Sequence, residues 1–586
     1  MEDLLSAPIV AAIAAHLDCD ENTVARLVGP PSRAGMGDLA LPCFQFAKER
    51  KQAPPQLAAE LAEAVNAAKL GCEANAAGPF LNISLQAAGV SRQLLPRLEA
   101  EPLAPLRLTD GAEQVVCIDF SSPNIAKHLA FHHIRSTMIG NALAHCYAAA
   151  GYAVKRINFL GDWGTAFGRL IAGWKREGLT LADLEAAGDK VTFLNELYVR
   201  ISQAAKADDA VMDEARAWSK KLEDGDEEAR QLWQVFKDAS LAEFERVYAL
   251  LGVEFDSWKG EAYYEDKMQP VLDELQSSGL LVEDQGALVV DLSEEGFKKP
   301  VLIKRADGGT LYATRDLAAC ADRFAEFNFD RSLYVVDLGQ GLHFKEWFAV
   351  AAKLGKPYAD RLRHVGFGIV LMWNEEAEEW GRVATRNGVP MLLVDVLDEA
   401  VRRAQAIMAE KNPDITGEEA DAVARAVGVG AVVFNDLKNN RKGDVKFKFE
   451  DALNMQGDTG PYLQYAHARL CSIERKFSDE HPDAPAVDPA LLTRDDEKQV
   501  LLAIARLPRA LRAVIDGDDP SQLANALLQF SATVSSWYSA GSKDKSARVI
   551  SDDAALSSTR LALVRAARAS LGEGLRLLGL VPPERM

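Results

Sequence analysis

The 586-residue chain has no CxxC pair, and its seven cysteines (19, 43, 72, 117, 146, 320 and 471) are scattered, the nearest two being 24 positions apart. Isolated thiols in odd number exclude a disulfide scaffold and a thioredoxin-type centre, offer no zinc cluster, and suit a reducing compartment. Long apolar runs are missing as well. The best candidate, Ala426–Phe434, is about half the ~18 residues of a membrane span. Glu2 and Asp3 stand where a signal peptide would carry lysines, so the expectation is a cytoplasmic protein without a membrane partner. Repeats and low-complexity stretches are also absent, which excludes solenoids and disordered scaffolds. What is present is an ordinary globular balance, 48% hydrophobic and 26% charged residues, enough for three or four domains of roughly 150 residues. Lys and Arg number 66 against 86 Asp and Glu, a net charge of −20. A nucleic-acid partner would therefore need a local basic face.

The chain changes character twice. Residues 1–105 read as helices (Leu4–His16, Leu57–Ala68) leading to a strand at Phe80–Leu85, and Pro102–Gly111 reads as a linker. Val115–Phe120 is a continuous β-rich run, followed by a helix over about His132–Ala150 and a second strand, Ala153–Phe159. Strand, helix and strand in that spacing form a βαβ unit of a parallel α/β domain. A charge-rich helical insertion covers about 170–260, further strands are expected at Ala287–Asp291, Val301–Lys304, Ser332–Asp337 and His364–Leu371, and everything after about Leu392 reads as helix. The expected fold class is thus α/β: a central parallel-sheet domain with helical insertions, a small α+β N-terminal domain and an all-helical C-terminal domain.

The loop after the first strand of the βαβ unit places Asn124, Lys127, His128, His132, His133 and Arg135 close together in sequence. Ligands of open parallel sheets bind beyond the carboxyl ends of the strands, and a helix N-terminus there favours an anion. Cations and imidazoles in that place suit a polyphosphate. One histidine alone would read as a polar cap; the cluster does not.

Six blocks in order carry a resemblance to a known family. They are Ser121–Lys127 (SSPNIAK) with Ile134–Gly140 (IRSTMIG), Gly161–Gly168 (GDWGTAFG), Leu311–Leu317 (LYATRDL), Gln340 with His343-Phe344, Gly457–Tyr465 (GDTGPYLQY) and the ending Pro583–Met586 (PERM). Over essentially its whole length the chain resembles the arginyl-tRNA synthetases, class I aminoacyl-tRNA ligases. The resemblance implies a Rossmann-like catalytic domain at 110–390, an N-terminal domain touching the tRNA elbow at 1–105, and a helical stem and anticodon-binding domain at 391–586. It implies ATP and L-arginine as substrates, tRNA for arginine as partner, Mg²⁺ carried with ATP, no zinc, and a monomer.

It also implies roles. Tyr312 and Asp316, spaced i, i+4, would bind the guanidinium with Glu261 as a second carboxylate; Asn124 and Gln340 would hold the α-amino and carboxylate end. Ser122, Gly161, Lys127 and His133 would serve the nucleotide. The family's His-x-Gly-His signature falls on Ala130-Phe-His-His133, so only the last histidine remains and His132 replaces the glycine. Either His128 or His132 supplies the missing imidazole, or nucleotide binding is impaired and the chain is a synthetase-like paralogue that binds tRNA. The second nucleotide loop aligns with Arg382–Gly388, where Arg382 would hold a lysine's charge, Thr385 replaces another lysine, and Arg386 reads equally as a nucleotide contact or a plain surface residue. Phe159 stands where the family often has histidine. Cations mixed with aromatics at Tyr462, Tyr465, Arg469 and Arg475 suit RNA, whose unpaired bases stack on rings while cations take phosphates.

Overall fold

Val115–Asp119 carries apolar β-formers without polar alternation, the pattern of a strand covered on both faces. The structure is a computed structural model that describes all residues except 1, 32, 34, 307–311, 375–378, 383–390 and 482, with backbone alone at Glu2, Asp3, Asn374 and Arg382. In it this strand lies inside a four-stranded sheet ordered Leu362–His364, Arg331–Tyr334, Val115–Asp119, Ala153–Ile157, every pairing parallel. The crossover helix His133–Ala149 is buried on nearly all sides. Gly140 allows this: a Cβ there would meet the Phe120 ring at 2.2 Å.

Two expected strands take other partners. Ala287–Val290 and Val301–Lys304 join Leu281–Asp284 in a separate antiparallel sheet. The cause is local, since Gln285 and Gly286 both hold positive φ (50° and 80°) and form a two-residue hairpin turn, which a parallel sheet cannot accommodate. The run His364–Leu371 breaks in two. Leu362–His364 ends the main sheet, while Val370–Asn374 pairs antiparallel with Glu379–Arg382 and parallel with Val445–Phe447. The stretch after Leu392 is therefore not purely helical. Leu39–Pro42 and Cys72–Ala77, which flank Phe80–Leu85 in the N-terminal sheet, escape sequence reading because CEANAA lacks β-formers.

Helices Thr165–Arg176, Lys190–Ala207, Asp209–Glu223 and Glu227–Leu251 build the insertion. Behind the sheet stand Leu393–Lys411, Gly417–Leu437, Gly460–Glu480, Asp495–Gly517, Ser521–Lys543 and Ala554–Leu577. Among the described residues no helix is long and apolar enough to cross a membrane. Polar anchors tie the layers together. Asp38 is buried against the helical domain: its carboxylate pairs with Lys498 at 2.7 Å and accepts from Gln499 at 2.8 Å. Arg135 is 1% exposed; it donates to the carbonyls of Gly368 (2.7 Å) and Gly443 (2.9 Å) and pairs with the buried Asp436 at 2.8 Å. Removing one member of such a pair strands the other without solvent. Arg135→Met should lower unfolding stability by about 3 kcal/mol in denaturant titrations, and Arg135→Met with Asp436→Leu should recover part of it.

Candidate active site

Beyond the carboxyl end of Val115–Asp119 the backbone turns through Ser121 (φ 69°) and Ser122 (φ 47°), a left-handed pair that costs of order 1 kcal/mol per residue. Side chains from four directions hold it. Ser121 N–H donates to Ser136 Oγ (2.9 Å) and its Oγ meets Tyr248 Oη (2.7 Å). Ser122 N–H donates to Asn158 Oδ1 (3.2 Å) and its hydroxyl to Asp119 Oδ1 (2.8 Å). Next, Ile125 N–H donates to Gly161 O and Gly161 N–H to Pro123 O. The two loops lie so close that a Cβ on Gly161 would sit 1.9 Å from Asn124 Oδ1. Only glycine leaves room for that amide.

This turn forms one wall of a cavity of about 840 Å³. Ser122, Asn124, His132, His133 and Gly161 line it, and so do Glu261, Tyr312, Asp316 and Gln340. His132 occupies the cap of His133–Ala149, its ring stacked on His133 at 4.2 Å. His133 Nδ1 lies 3.0 Å from Ala130 O, so the proton belongs on Nδ1 and Nε2 keeps its lone pair. Burial first, then His132 and Lys127, push the His133 imidazole down to about 4. Burial also lowers His132, against the pull of Asp337. At neutral pH both rings are uncharged hydrogen-bonding groups.

Not every candidate reaches the cavity. His128 faces the helical insertion, its Nε2 2.8 Å from Thr192 Oγ1 and 3.3 Å from Asp189, and it is not among the residues lining the cavity. The cause is the chain's turn at Ala126 (φ 58°), whose N–H is pinned to Ser240 Oγ. Lys127 is exposed with its ammonium over the Tyr198 ring, 5.6 Å from the centroid, outside the cavity lining. Arg386 lies outside the described residues, as does the Arg382 side chain.

The other end of the cavity is acidic. Asp316 Oδ2 accepts from His343 Nε2 at 2.6 Å. Glu261 pairs with Arg315 at 3.2 Å, and burial, with Asp162 and Asp316 adding to it against Arg315, raises its carboxyl to about 7. Asp162, wholly buried, aims that segment: it accepts from Ala262 N–H (2.9 Å) and pairs with Lys237 (2.7 Å). Tyr312 is 67% exposed at the rim. Below lies an ion pair that sequence reading missed, Arg323 with Asp119 at 2.8 Å, capped by the Phe159 ring 5.3 Å from the guanidinium. An aspartate ending a strand of apolar residues was the available signal. Among the described residues no group of three His, Cys, Asp or Glu side chains could hold a metal ion.

Models of three families match this chain: "tRNA synthetases class I (R), catalytic domain" over residues 104–449, "DALR anticodon binding domain" over 463–586, and "Arginyl tRNA synthetase N terminal domain" over 3–85. The chain belongs to the arginyl-tRNA synthetase family. It is 42% identical over 562 residues to an arginine–tRNA ligase of an Exiguobacterium species, covering 96% of this chain and 95% of that one. With an arginine–tRNA ligase of Streptococcus pneumoniae it shares 40% identity over 580 residues and 99% of both chains. Its fold resembles the solved Thermus thermophilus arginyl-tRNA synthetase with a TM-score of 0.80 and 26% identity, covering 99% of this chain and all of that one.

Of the RNA-facing candidates, Tyr462, Tyr465 and Arg469 share one face of Gly460–Glu480, with Arg469 over the Tyr538 ring at 4.0 Å. Arg475 points elsewhere and donates to Glu584 O at 3.2 Å. At the acidic end, Glu261 makes a stability test. Its folded-state value lies above its unfolded one, so its contribution is fully present below about pH 4.5 and is lost as pH rises through about 7. The penalty then is of order 3 kcal/mol. Glu261→Gln should therefore gain stability over the parent chain between pH 4.5 and 7, with a constant margin above 7, in melting curves recorded against pH.

Proposed function

We propose that the chain attaches L-arginine to its tRNA in two steps, using MgATP. A carboxylate oxygen of arginine attacks the α-phosphorus, forming arginyl-adenylate and releasing diphosphate; a terminal hydroxyl of the tRNA then attacks the acyl carbon and AMP leaves. The attacking group is already ionised, so the protein's work is positioning and charge neutralisation more than proton transfer. The observation that carries the reading is a single cavity whose lining includes the carboxylates of Asp316 and Glu261 at one end and a helix N-terminus crowned by His132 and His133 at the other. A planar cation with five donors fits the first group and a polyphosphate the second.

In this assignment Asp316, Glu261 and Tyr312 take the guanidinium, and Asn124 and Gln340 the α-amino and carboxylate end. His132 and His133 take the phosphates, Ser122 and Gly161 the nucleotide, and Lys127 adds charge at the entrance. His132 supplies the imidazole that the altered signature lacks. Arg382 and Arg386 contribute charge to the nucleotide. Mg²⁺ enters with the phosphates. Such a pocket rejects amino acids without the guanidinium donors, so it needs no editing domain. Tyr462, Tyr465, Arg469 and Arg475 belong to the anticodon-reading domain at 391–586, and residues 1–105 touch the tRNA elbow. Residues 110–390 carry the catalysis, with about 170–260 as helical insertion. The chain works as a monomer in the cytoplasm.

The test is AMP release. It should require arginine, ATP and tRNA together; tRNA binding with no AMP under any condition would select the impaired paralogue instead. Asp316→Ala should raise the KM for arginine at least about tenfold while leaving that for ATP nearly unchanged, and equal effects on both would remove Asp316 from the guanidinium site. His132→Gly should weaken ATP more than arginine; an unaltered ATP requirement would return the missing-imidazole role to another group.

A further inference from the structure

Asp316 has a side-chain partner of its own within the cavity. Its Oδ2 lies 2.6 Å from His343 Nε2. A carboxylate oxygen offers only lone pairs, so the proton between them sits on the imidazole. Asp316 stands in the second turn of Tyr312–Phe327 and His343 in the first turn of Gly341–Lys353, so this bond joins two neighbouring helices at the cavity wall. Both side chains are partly exposed, 22% for Asp316 and 30% for His343. The His343 ring stands edge-on to Phe344, centroids 5.6 Å apart, which limits its rotation. Asp316 and Glu346 are the charged groups that reach the ring; burial works against the imidazolium, and those two outweigh it, holding His343 above its ordinary value.

We propose that His343 is a positioning residue for amino-acid selection, holding Oδ2 of Asp316 so that the carboxylate plane is fixed and Oδ1 is presented to the substrate guanidinium. The inference rests on the reading of Asp316 as a guanidinium ligand. A guanidinium donates in its own plane, so it gains from a carboxylate whose rotation is already arrested; an ammonium is a point charge with rotatable donors and gains far less. His343 therefore favours arginine over lysine through its hold on Asp316. The opposite role, a plug that occupies the guanidinium's place and must be displaced, predicts the opposite change in arginine affinity.

The experiment uses the full chain with tRNA and reads AMP release at varied arginine and ATP for His343→Ala and His343→Gln. His343→Ala should raise the KM for arginine about tenfold, leave the KM for ATP within about twofold, and narrow the arginine-to-lysine preference. His343→Gln, whose amide donates to the same oxygen, should recover most of the loss. An unchanged or lowered KM for arginine in His343→Ala, an equal rise for ATP, or no recovery in His343→Gln would overturn the proposal. If His343→Ala does not fold, His343→Asn replaces it, because its amide is too short to span the gap. A parent chain that releases no AMP with arginine would instead overturn the function itself, so the two failures are distinguishable.

Discussion

Two guanidinium groups lie buried at the cavity, Arg135 at 1% and Arg323 at 3% exposure, and each has a buried aspartate for company. Removing such groups from water is expensive, and a paired, hydrogen-bonded arrangement is the condition for keeping them there. Burial pushes the carboxyls of Asp119 and Asp436 up, and the facing arginines pull them back. The result is placement. Arg323 holds the end of the first strand against Tyr312–Phe327, the helix that carries Asp316. Arg135 holds the crossover helix against the 366–370 wall and the segment around Gly443. Hydrophobic packing alone would leave those segments free to slide, because apolar contacts are non-directional.

The same wall is gripped from the helical side. Arg441 donates to Gly366 O on one hand and to Asp518 O (2.8 Å) on the other, while its own carbonyl accepts from Arg135 and from Gly368 N–H. Tyr147 on the crossover helix adds a 2.6 Å bond to Asp518, whose positive φ (49°) ends Asp495–Gly517. Cavity and helical domain thus share a set of backbone carbonyls rather than meeting through a flexible linker. Asp38 and Lys498 complete the arrangement from the N-terminal domain.

Much of this was legible in the sequence where local pattern and tertiary role agree. The first βαβ unit, Phe80–Leu85 and Val301–Lys304 follow from β-rich runs flanked by turns. Legibility failed where long-range partners decide the outcome. The pairing of Val445–Phe447 with Val370–Met372 joins residues 75 apart and has no local signature. His128 looked equivalent to His132 in sequence, yet one left-handed residue, Ala126, sends it to the opposite side of the loop. The ion pairs of Arg323 and Arg135 were invisible because a buried arginine and a surface arginine are the same letter. His343 lay within a recognised block, but its bond to Asp316 depends on two helices whose approach no spacing reveals.

In the proposed reading, Glu261 at the acidic end of the cavity carries an exchangeable proton until the substrate guanidinium replaces its charge, while His343 keeps the proton that holds Asp316. A guanidinium entering beside Glu261 favours the ionised carboxylate, so the proton must leave as arginine binds. Calorimetric titration of L-arginine into the chain near pH 7, in buffers of different ionisation enthalpy, measures that proton directly. The account predicts net proton release that shrinks as the pH is raised above 8. Arginine binding with no proton exchange at pH 7, or with proton uptake, would contradict it.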